Sequence, residues 1–292
     1  MPEPRWLLVV HGGAKTIEPE KEEAHRRGCL AAANAGATVL RYGGGAVQAV
    51  EAAIRSLEND PTFNAGRGST PQASGAVQMD ASIMDGRDLN VGGVAGVSRL
   101  RNPIEGARAV LGEPPVLMIA DGAERFAREH GVALVDPDEV RPSTERRPGL
   151  DTVGAVALDQ HGHLAAAVST GGLEGMPEGR VGDTALPGCG YYADDMVGAT
   201  ALSGEGENIA RVTLAARIIG AMENGAGPAD AGRLMLQQLA RVDGEAGAII
   251  LDRQGRIDAA HNSDHFALAV AGSAIEPRAA IRRDELRDLL DG

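Results

Sequence analysis

Asp151-Thr152 stands where a Pro- and charge-rich stretch, Asp136–Leu150 (DPDEVRPSTERRPGL), runs into the apolar segment Thr152–Leu158 (TVGAVAL). A threonine there is an ordinary β-former, but its position also allows a specific chemistry. Its hydroxyl can attack the carbonyl carbon of Asp151, so that the chain is cut between the two and Thr152 becomes a new N-terminal residue. The freed α-amine, with an unperturbed pKa of about 7.7–8.0 against about 10.4 for lysine, is then a general base carried by the nucleophile itself. No separate histidine is required, and the seven histidines of the chain form no evident triad.

Three Gly-dense segments follow: Ser169-Thr170-Gly171-Gly172, Gly179-Arg180-Val181-Gly182-Asp183 and Gly188-Cys189-Gly190-Tyr191. Tight turns alone would explain the glycines. They also let backbone crowd a small ligand, and Arg180 and Asp183 are the residue types that clamp an amino acid. A guanidinium holds an α-carboxylate bidentately, and a carboxylate takes an α-ammonium. Spacing alone equally allows, and more often means, a surface salt bridge between the two. Further on, Ser203-Gly204-Glu205-Gly206-Glu207 precedes a helix. As structure this is an N-cap at Ser203 with acids in the first turn. As chemistry, a hydroxyl and a glycine N–H at that place suit an oxyanion hole.

Other patterns carry less. His161-Gly162-His163 reads as a hairpin turn, and His261 and His265 could share a helical face without the acids or cysteines of a zinc site. No nucleotide-binding glycine fingerprint is present. Lys and Arg number 28 against 41 Asp and Glu, a net charge of −13, which argues against a nucleic-acid partner. Cys29 and Cys189 form no C-x-x-C and no disulfide ladder. The opening MPEPRWLLVV has an apolar run of five residues, short for a signal-peptide core, and nothing approaches the roughly 20 apolar residues of a membrane span. The expectation is a cytoplasmic protein without a membrane partner.

The elements that must position these residues come from periodicity. Leu7–Val10 reads as a short strand ending at His11-Gly12-Gly13, and residues 18–41 as a helix. A second helix follows Gly45, with Ala46, Val47, Val50, Ala53, Ile54 and Leu57 at helical spacing. Val77–Val97 is strand-rich, and helices are expected from Asn102-Pro103 and over about 121–130. Residues 136–151 read as an exposed, mobile connector of about 15 residues. Two strands, Thr152–Leu158 and Leu164–Thr170, are joined by the turn at Asp159–Gly162. Helices near 206–222 and 228–241, strands Ala248–Leu251 and Phe266–Ala271, and a helix around 279–290 complete the order. Aromatic residues are only 2% and hydrophobic residues 43%, so the core must be built of Ala, Val, Leu and Ile. Helix layers over antiparallel sheets fit this order better than a regular βαβ alternation, although periodicity alone leaves a doubly wound sheet open.

The ordered set VVHGGA (Val9–Ala14), LENDPTFNAGRGS (Leu57–Ser69), MDASIMDG (Met79–Gly86), GGVAGV (Gly92–Val97), NPI (Asn102–Ile104), DTVGAVALD, STGG, GRVGD, GCGYYAD and SGEGE spans residues 9–207. In this set the chain resembles the plant-type L-asparaginases with isoaspartyl aminopeptidase activity, which are N-terminal-nucleophile hydrolases. The resemblance implies an α+β fold, an αββα four-layer sandwich, over a single domain 1–292. It implies autocleavage between Asp151 and Thr152 into an α chain 1–151 and a β chain 152–292, assembled as a dimer of heterodimers, (αβ)₂. By position Thr152 would be the nucleophile and Thr170 its supporting hydroxyl. Arg180 would bind the substrate α-carboxylate, while Asp183 and the Gly204 carbonyl would bind its α-ammonium. Ser203 and the Gly204 N–H would form the oxyanion hole, and Asn64 would orient the freed amine. Leu57, Glu58, Asp60, Phe63, Ala65 and Arg67 would offer backbone carbonyls to a structural sodium ion, with no cofactor for catalysis.

The activity implied is hydrolysis of L-asparagine and of β-aspartyl dipeptides, recognised by their free α-amino and α-carboxyl groups. The chain departs from the pattern in three places: Asp151 where many plant-type enzymes have Gly, Ser203 for the usual Thr, and Thr184-Ala185 for Ser/Thr-Pro. The alternatives are a glycosylasparaginase-like amidase and, from another class, an unprocessed, catalytically silent amino-acid-binding protein. A taspase-like endopeptidase fits less well, because a free-amino-acid clamp does not suit an internal peptide.

Overall fold

The computed structural model describes residues 5–140 and 152–291, so Asp151 and the expected connector from residue 141 onward lie outside the described residues. The chain opens with β1 (Leu7–Lys15), α1 (Pro19–Arg41) and α2 (Ala46–Asn59). A loop with a 3₁₀ turn at Gly66–Gly68 leads to the hairpin β2 (Met79–Asp85) and β3 (Asn90–Val97). Then come α3 (Pro103–Val110), β4 (Leu117–Ile119), α4 (Ala120–Glu129) and the single-turn α5 (Pro137–Val140). After Thr152 the order is β5 (Val153–Leu158), β6 (Leu164–Thr170), a 3₁₀ turn Asp183–Ala185, β7 (Tyr191–Asp194) and β8 (Gly198–Gly204). Helices α6 (Gly206–Arg211), α7 (Leu214–Glu223) and α8 (Pro228–Ala240) follow. The chain closes with β9 (Ala246–Asp252), β10 (Ile257–His261), β11 (His265–Gly272), β12 (Ile275–Ala280) and α9 (Arg283–Asp291).

Two sheets result. The larger has the strand order β12-β11-β1-β5-β6-β2-β3-β4 and is antiparallel except for the pair β3–β4. The smaller, β10-β9-β8-β7, is antiparallel throughout. This is a mixed α+β protein with nine α-helices among the described residues, and the antiparallel pairing closes the doubly wound alternative.

Small residues set the helix packing. Pro19 occupies the first turn of α1 with Glu20 and Glu22, where a fixed φ and carboxylates suit the exposed N–H groups. The buried face of α1 is Gly28, Cys29, Ala32, Ala33, Gly36, Ala37 and Leu40. A Cβ added at Gly36 would lie 2.7 Å from the Ala49 carbonyl oxygen, so α1 and α2 approach backbone to backbone.

Alternate residues of β5 and β6 serve different cores. Val153, Ala155, Ala157, Ala165 and Ala167 join an apolar cluster with α1, α2 and α3. Val156, Leu158, Leu164, Ala166 and Val168 join another with Tyr191, Ala193, Ala199, Ala201, Ile249 and Leu251 of the smaller sheet. Leu202, Ala246, Ala248 and Ile250, on the far face of that sheet, pack with α6, α7 and α8. Burying each such Val or Leu contributes roughly 1.5–3 kcal/mol. The two-residue period of a strand places Thr152 and Gly154 on the Val156 side, toward the smaller sheet.

The departures from the sequence reading are local. β1 does not stop at His11 but continues to Lys15 through a bulge between His11 and Ala14, where Gly13 has φ +113°. The helix expected over 206–222 is two helices, broken at Val212-Thr213, with Thr213 at φ +47°. The C-terminal helix starts at Arg283 because residues 275–280 pair with β11 instead. Among the described residues, no helix is long and apolar enough to cross a membrane.

Candidate active site

Thr152 lies buried at the head of β5, in the middle of the larger sheet. Its backbone N–H donates to Ser203 Oγ at 3.1 Å, across the gap to the smaller sheet. Ser203 Oγ also accepts the Ala14 N–H at 3.2 Å, just beyond the β1 bulge. Both lone pairs of that hydroxyl are then engaged, which leaves its O–H free to donate. Thr152 Oγ1 stands 3.5 Å from Thr184 Oγ1, which is buried in the 3₁₀ turn Asp183–Ala185. Thr170 ends β6 beside this point: Val153 pairs with Ser169 in the β5–β6 ladder, and Thr170 Oγ1 accepts the Gly172 N–H at 3.2 Å. Gly204 closes β8 with φ +149°, and a Cβ there would fall 2.3 Å from the Glu245 carbonyl oxygen. Only glycine serves at that position.

Arg180 and Asp183 flank the same turn. They do not pair with each other. Arg180 donates Nε to Glu207 Oε1 at 2.8 Å and Nη2 to Glu207 Oε2 at 2.9 Å, a two-bond fork at the start of α6. The Arg180 side chain is only 11% exposed against 47% for Glu207. Arg180 in turn holds the Glu207 carboxyl below its ordinary range. Asp183 is buried, its Oδ2 has no hydrogen-bond partner, and burial pushes its pKa up to about 7 against the pull of Arg180. Glycines shape the slot around both groups. A Cβ at Gly206 would lie 2.6 Å from Asp183 Oδ1 and 2.9 Å from Arg180 Nη2, and one at Gly182 would lie 2.7 Å from Arg180 Nη1. Because Thr184 follows Asp183 directly and its hydroxyl faces that of Thr152, Arg180, Asp183 and Thr152 lie in one site.

Asn64 stitches the loop below. Its Oδ1 accepts the Thr70 N–H at 2.9 Å and its Nδ2 donates to the Gly172 carbonyl at 2.7 Å, joining the 57–70 segment to the end of β6. In that segment the carbonyls of Leu57, Asp60, Phe63 and Ala65 accept backbone N–H groups of Asp60, Phe63, Ala65 and Gly68. A Cβ at Gly66 or Gly68 would strike the Glu58 or Phe63 carbonyl oxygen, so the loop packs backbone against backbone there. An all-oxygen backbone set of this kind suits a hard cation. Among the described residues, no group of three or more His, Cys, Asp or Glu is arranged to hold a metal.

Two readings need correction. Ser203 is not a helix cap: it lies inside β8, Glu205 is the N-cap of α6, and the Ser203 hydroxyl faces β1 and Thr152. His261 and His265 share no helical face, since one ends β10 and the other begins β11. Sequence reasoning also missed four residues at the site. In the sequence Glu207 is only a first-turn acid, and Thr184 only a departure from Ser/Thr-Pro. His11 marks only the end of a strand there, and Asp80 is only one residue of the block MDASIMDG. The His11 imidazole is fully buried, and burial lowers its pKa to about 3 against the opposing pull of the Thr152 backbone beside it. Its Nε2 would lie 2.1 Å from a Cβ at Gly154, which accounts for the glycine in DTVGAV.

Comparison with known proteins adds an independent line. The sequence profile of a family described as asparaginase matches residues 4–147 and 138–279. An isoaspartyl peptidase/L-asparaginase of Danio rerio is 41% identical over 91% of this chain and 92% of its own length. The Homo sapiens protein of the same name is 40% identical over 85% and 87%, respectively. An isoaspartyl peptidase of Salmonella typhimurium is 35% identical over 95% of this chain and 99% of its own. With matches that span nearly the whole chain, this protein belongs to the asparaginase family that holds these isoaspartyl peptidase/L-asparaginases.

Proposed function

We propose that the protein is an autoproteolytically activated amidohydrolase that converts L-asparagine to L-aspartate and ammonia and cleaves β-aspartyl dipeptides. The observation that carries this reading is the buried Thr152 at the head of β5, hydrogen-bonded to Ser203 and one turn from Asp183. In the precursor, Thr152 Oγ attacks the Asp151 carbonyl carbon and the acyl group moves from nitrogen to oxygen. That shift breaks the Asp151–Thr152 C–N bond and frees the Thr152 amine, and water then hydrolyses the ester to release the Asp151 carboxylate and restore the Thr152 hydroxyl. In the mature enzyme that amine takes the proton from Thr152 Oγ as the oxygen attacks the side-chain amide or isopeptide carbonyl. The Ser203 O–H and the Gly204 N–H stabilise the oxyanion. Ammonia or the distal amino acid leaves, and water resolves the β-aspartyl ester.

Recognition rests on Arg180 for the α-carboxylate and on Asp183 with the Gly204 carbonyl for the α-ammonium. Glu207 holds the guanidinium by two bonds, so the substrate carboxylate must share or displace one of them. Thr170 supports the nucleophile and Asn64 orients the freed amine.

Helices beside each outer sheet face, with an apolar cluster between the sheets, support a four-layer αββα arrangement of N-terminal-nucleophile type. The domain 1–292 divides at 151/152 into α and β chains that assemble as (αβ)₂ in the cytoplasm. The backbone carbonyls of Leu57, Glu58, Asp60, Phe63, Ala65 and Arg67 would hold a sodium ion, whose contribution would be structural. The deciding experiment is denaturing mass spectrometry of fresh protein incubated over days, followed by assays with L-asparagine and β-Asp-Leu. Two fragments meeting at Asp151/Thr152 and turnover of either substrate are expected. A permanently intact 30.1 kDa chain without turnover overturns the proposal and favours a silent binding protein.

A further inference from the structure

Asp80 lies on β2 directly across from Thr170 of β6, and it is buried beneath the Arg180–Asp183 turn. Its Oδ1 accepts the Gly96 N–H at 2.9 Å, and the Gly182 backbone N–H also stabilises its charged form. It attracts Arg180 and repels the charge on Asp183. Gly182 is the residue against whose Cα the Arg180 guanidinium lies. This buried carboxylate therefore faces the turn that carries both proposed clamp residues and interacts electrostatically with each.

We propose that Asp80 is a positioning residue for substrate recognition, which seats the Gly179–Asp183 turn and sets the charge against which Asp183 receives the substrate ammonium. This rests on the amidohydrolase reading and names a further determinant of the same site. The groups that face Asp80 are Arg180 and Asp183, with Glu207 behind the guanidinium and Cys189 behind Asp183. Burial moves both carboxyls in one direction, Asp80 up to about 6 and Asp183 up to about 7. Each carboxyl raised in this way holds its proton more tightly, and an incoming ammonium favours its release. Removing the Asp80 charge removes a repulsion on Asp183, so Asp183 ionises at lower pH.

The test compares matured wild type with Asp80→Asn, which keeps an oxygen for the Gly96 N–H but loses the charge. For L-asparagine, KM at pH 8 is expected to rise on the order of tenfold, the weight of one lost charge-assisted hydrogen bond, with kcat changed by less than about twofold. The acid limb of kcat/KM is expected to move to lower pH. An unmoved limb, or a fall in kcat at constant KM, overturns the proposal. Should Asp80→Asn fail to fold or mature, wild type suffices. Calorimetric binding of L-aspartate at pH 6.5, in two buffers of different ionisation heat, is expected to show net proton release, and no release overturns it. Wild type that turns over neither L-asparagine nor β-Asp-Leu defeats the parent reading. An active wild type with an unaltered Asp80→Asn profile defeats this inference alone.

Discussion

At the scale of single residues, the division of labour between Thr152 and Arg180 gives opposite signatures. Thr152→Ala removes the hydroxyl proposed to attack both Asp151 and the substrate, so it should remain one chain on a denaturing gel and hydrolyse neither L-asparagine nor β-Asp-Leu. A processed and active Thr152→Ala protein would contradict the mechanism outright. Arg180→Ala should mature, because its guanidinium is bound to Glu207 rather than to the nucleophile. Its KM should rise by about 10- to 100-fold, since a hydrogen bond to a charged group is worth about 1.5–3 kcal/mol. Steady-state kinetics of that variant decide the point, and an unchanged KM removes Arg180 from the clamp. These two residues were legible in the sequence because their types announce their chemistry. Glu207 was not, since nothing in a one-dimensional spacing says that an acid 27 residues beyond Arg180 returns to hold it.

At the scale of elements, legibility followed periodicity. Helices α1 and α2, with a long apolar stripe, and the hairpin β5–β6, with apolar runs and a Gly turn, were read nearly to their ends. Strands β7 and β8 escaped because their sequences, YYAD and GATALSG, are short and rich in Gly and Ala. Their identity as strands comes from pairing with each other, from the pairing of β8 with β9 and from the cores on either face, of which the last two are long-range facts. Two changes probe how elements hold the site. Gly154→Ala drives a Cβ into His11 Nε2 and to within 2.9 Å of Ala201 Cβ, which should destabilise the β1–β5 contact by about 1–3 kcal/mol in chemical denaturation.

Glu58, at the end of α2, accepts the Ser169 hydroxyl at 2.7 Å and the Ile104 N–H at 3.0 Å, with its pKa pushed up to about 8 by burial. The folded state thus keeps a proton that the unfolded chain loses near the ordinary 4.5, so this residue's contribution to stability falls as pH rises from about 4.5 to about 8. Glu58→Gln should therefore match wild type in melting temperature near pH 5 and exceed it at pH 9. An identical difference at both pH values would mean that Glu58 is folded in its charged form.

At the scale of the whole molecule, the proposed cut falls one residue ahead of a central strand. The larger sheet draws β1, β2, β3 and β4 from before residue 151 and β5, β6, β11 and β12 from after it. The two parts are interleaved: β1 pairs with β5 and β11, and β2 pairs with β6. Cleaved protein should accordingly migrate as one species in native size exclusion and separate only in denaturant, and two native peaks would refute the interleaving. A kinetic consequence follows for the matured enzyme. If isotopically heavy and light batches are mixed, hybrids that combine one batch's residues 1–151 with the other's 152–292 can arise only when a whole sheet is dismantled. Their appearance rate is then a clock for global unfolding, readable in intact native mass spectra without any denaturant.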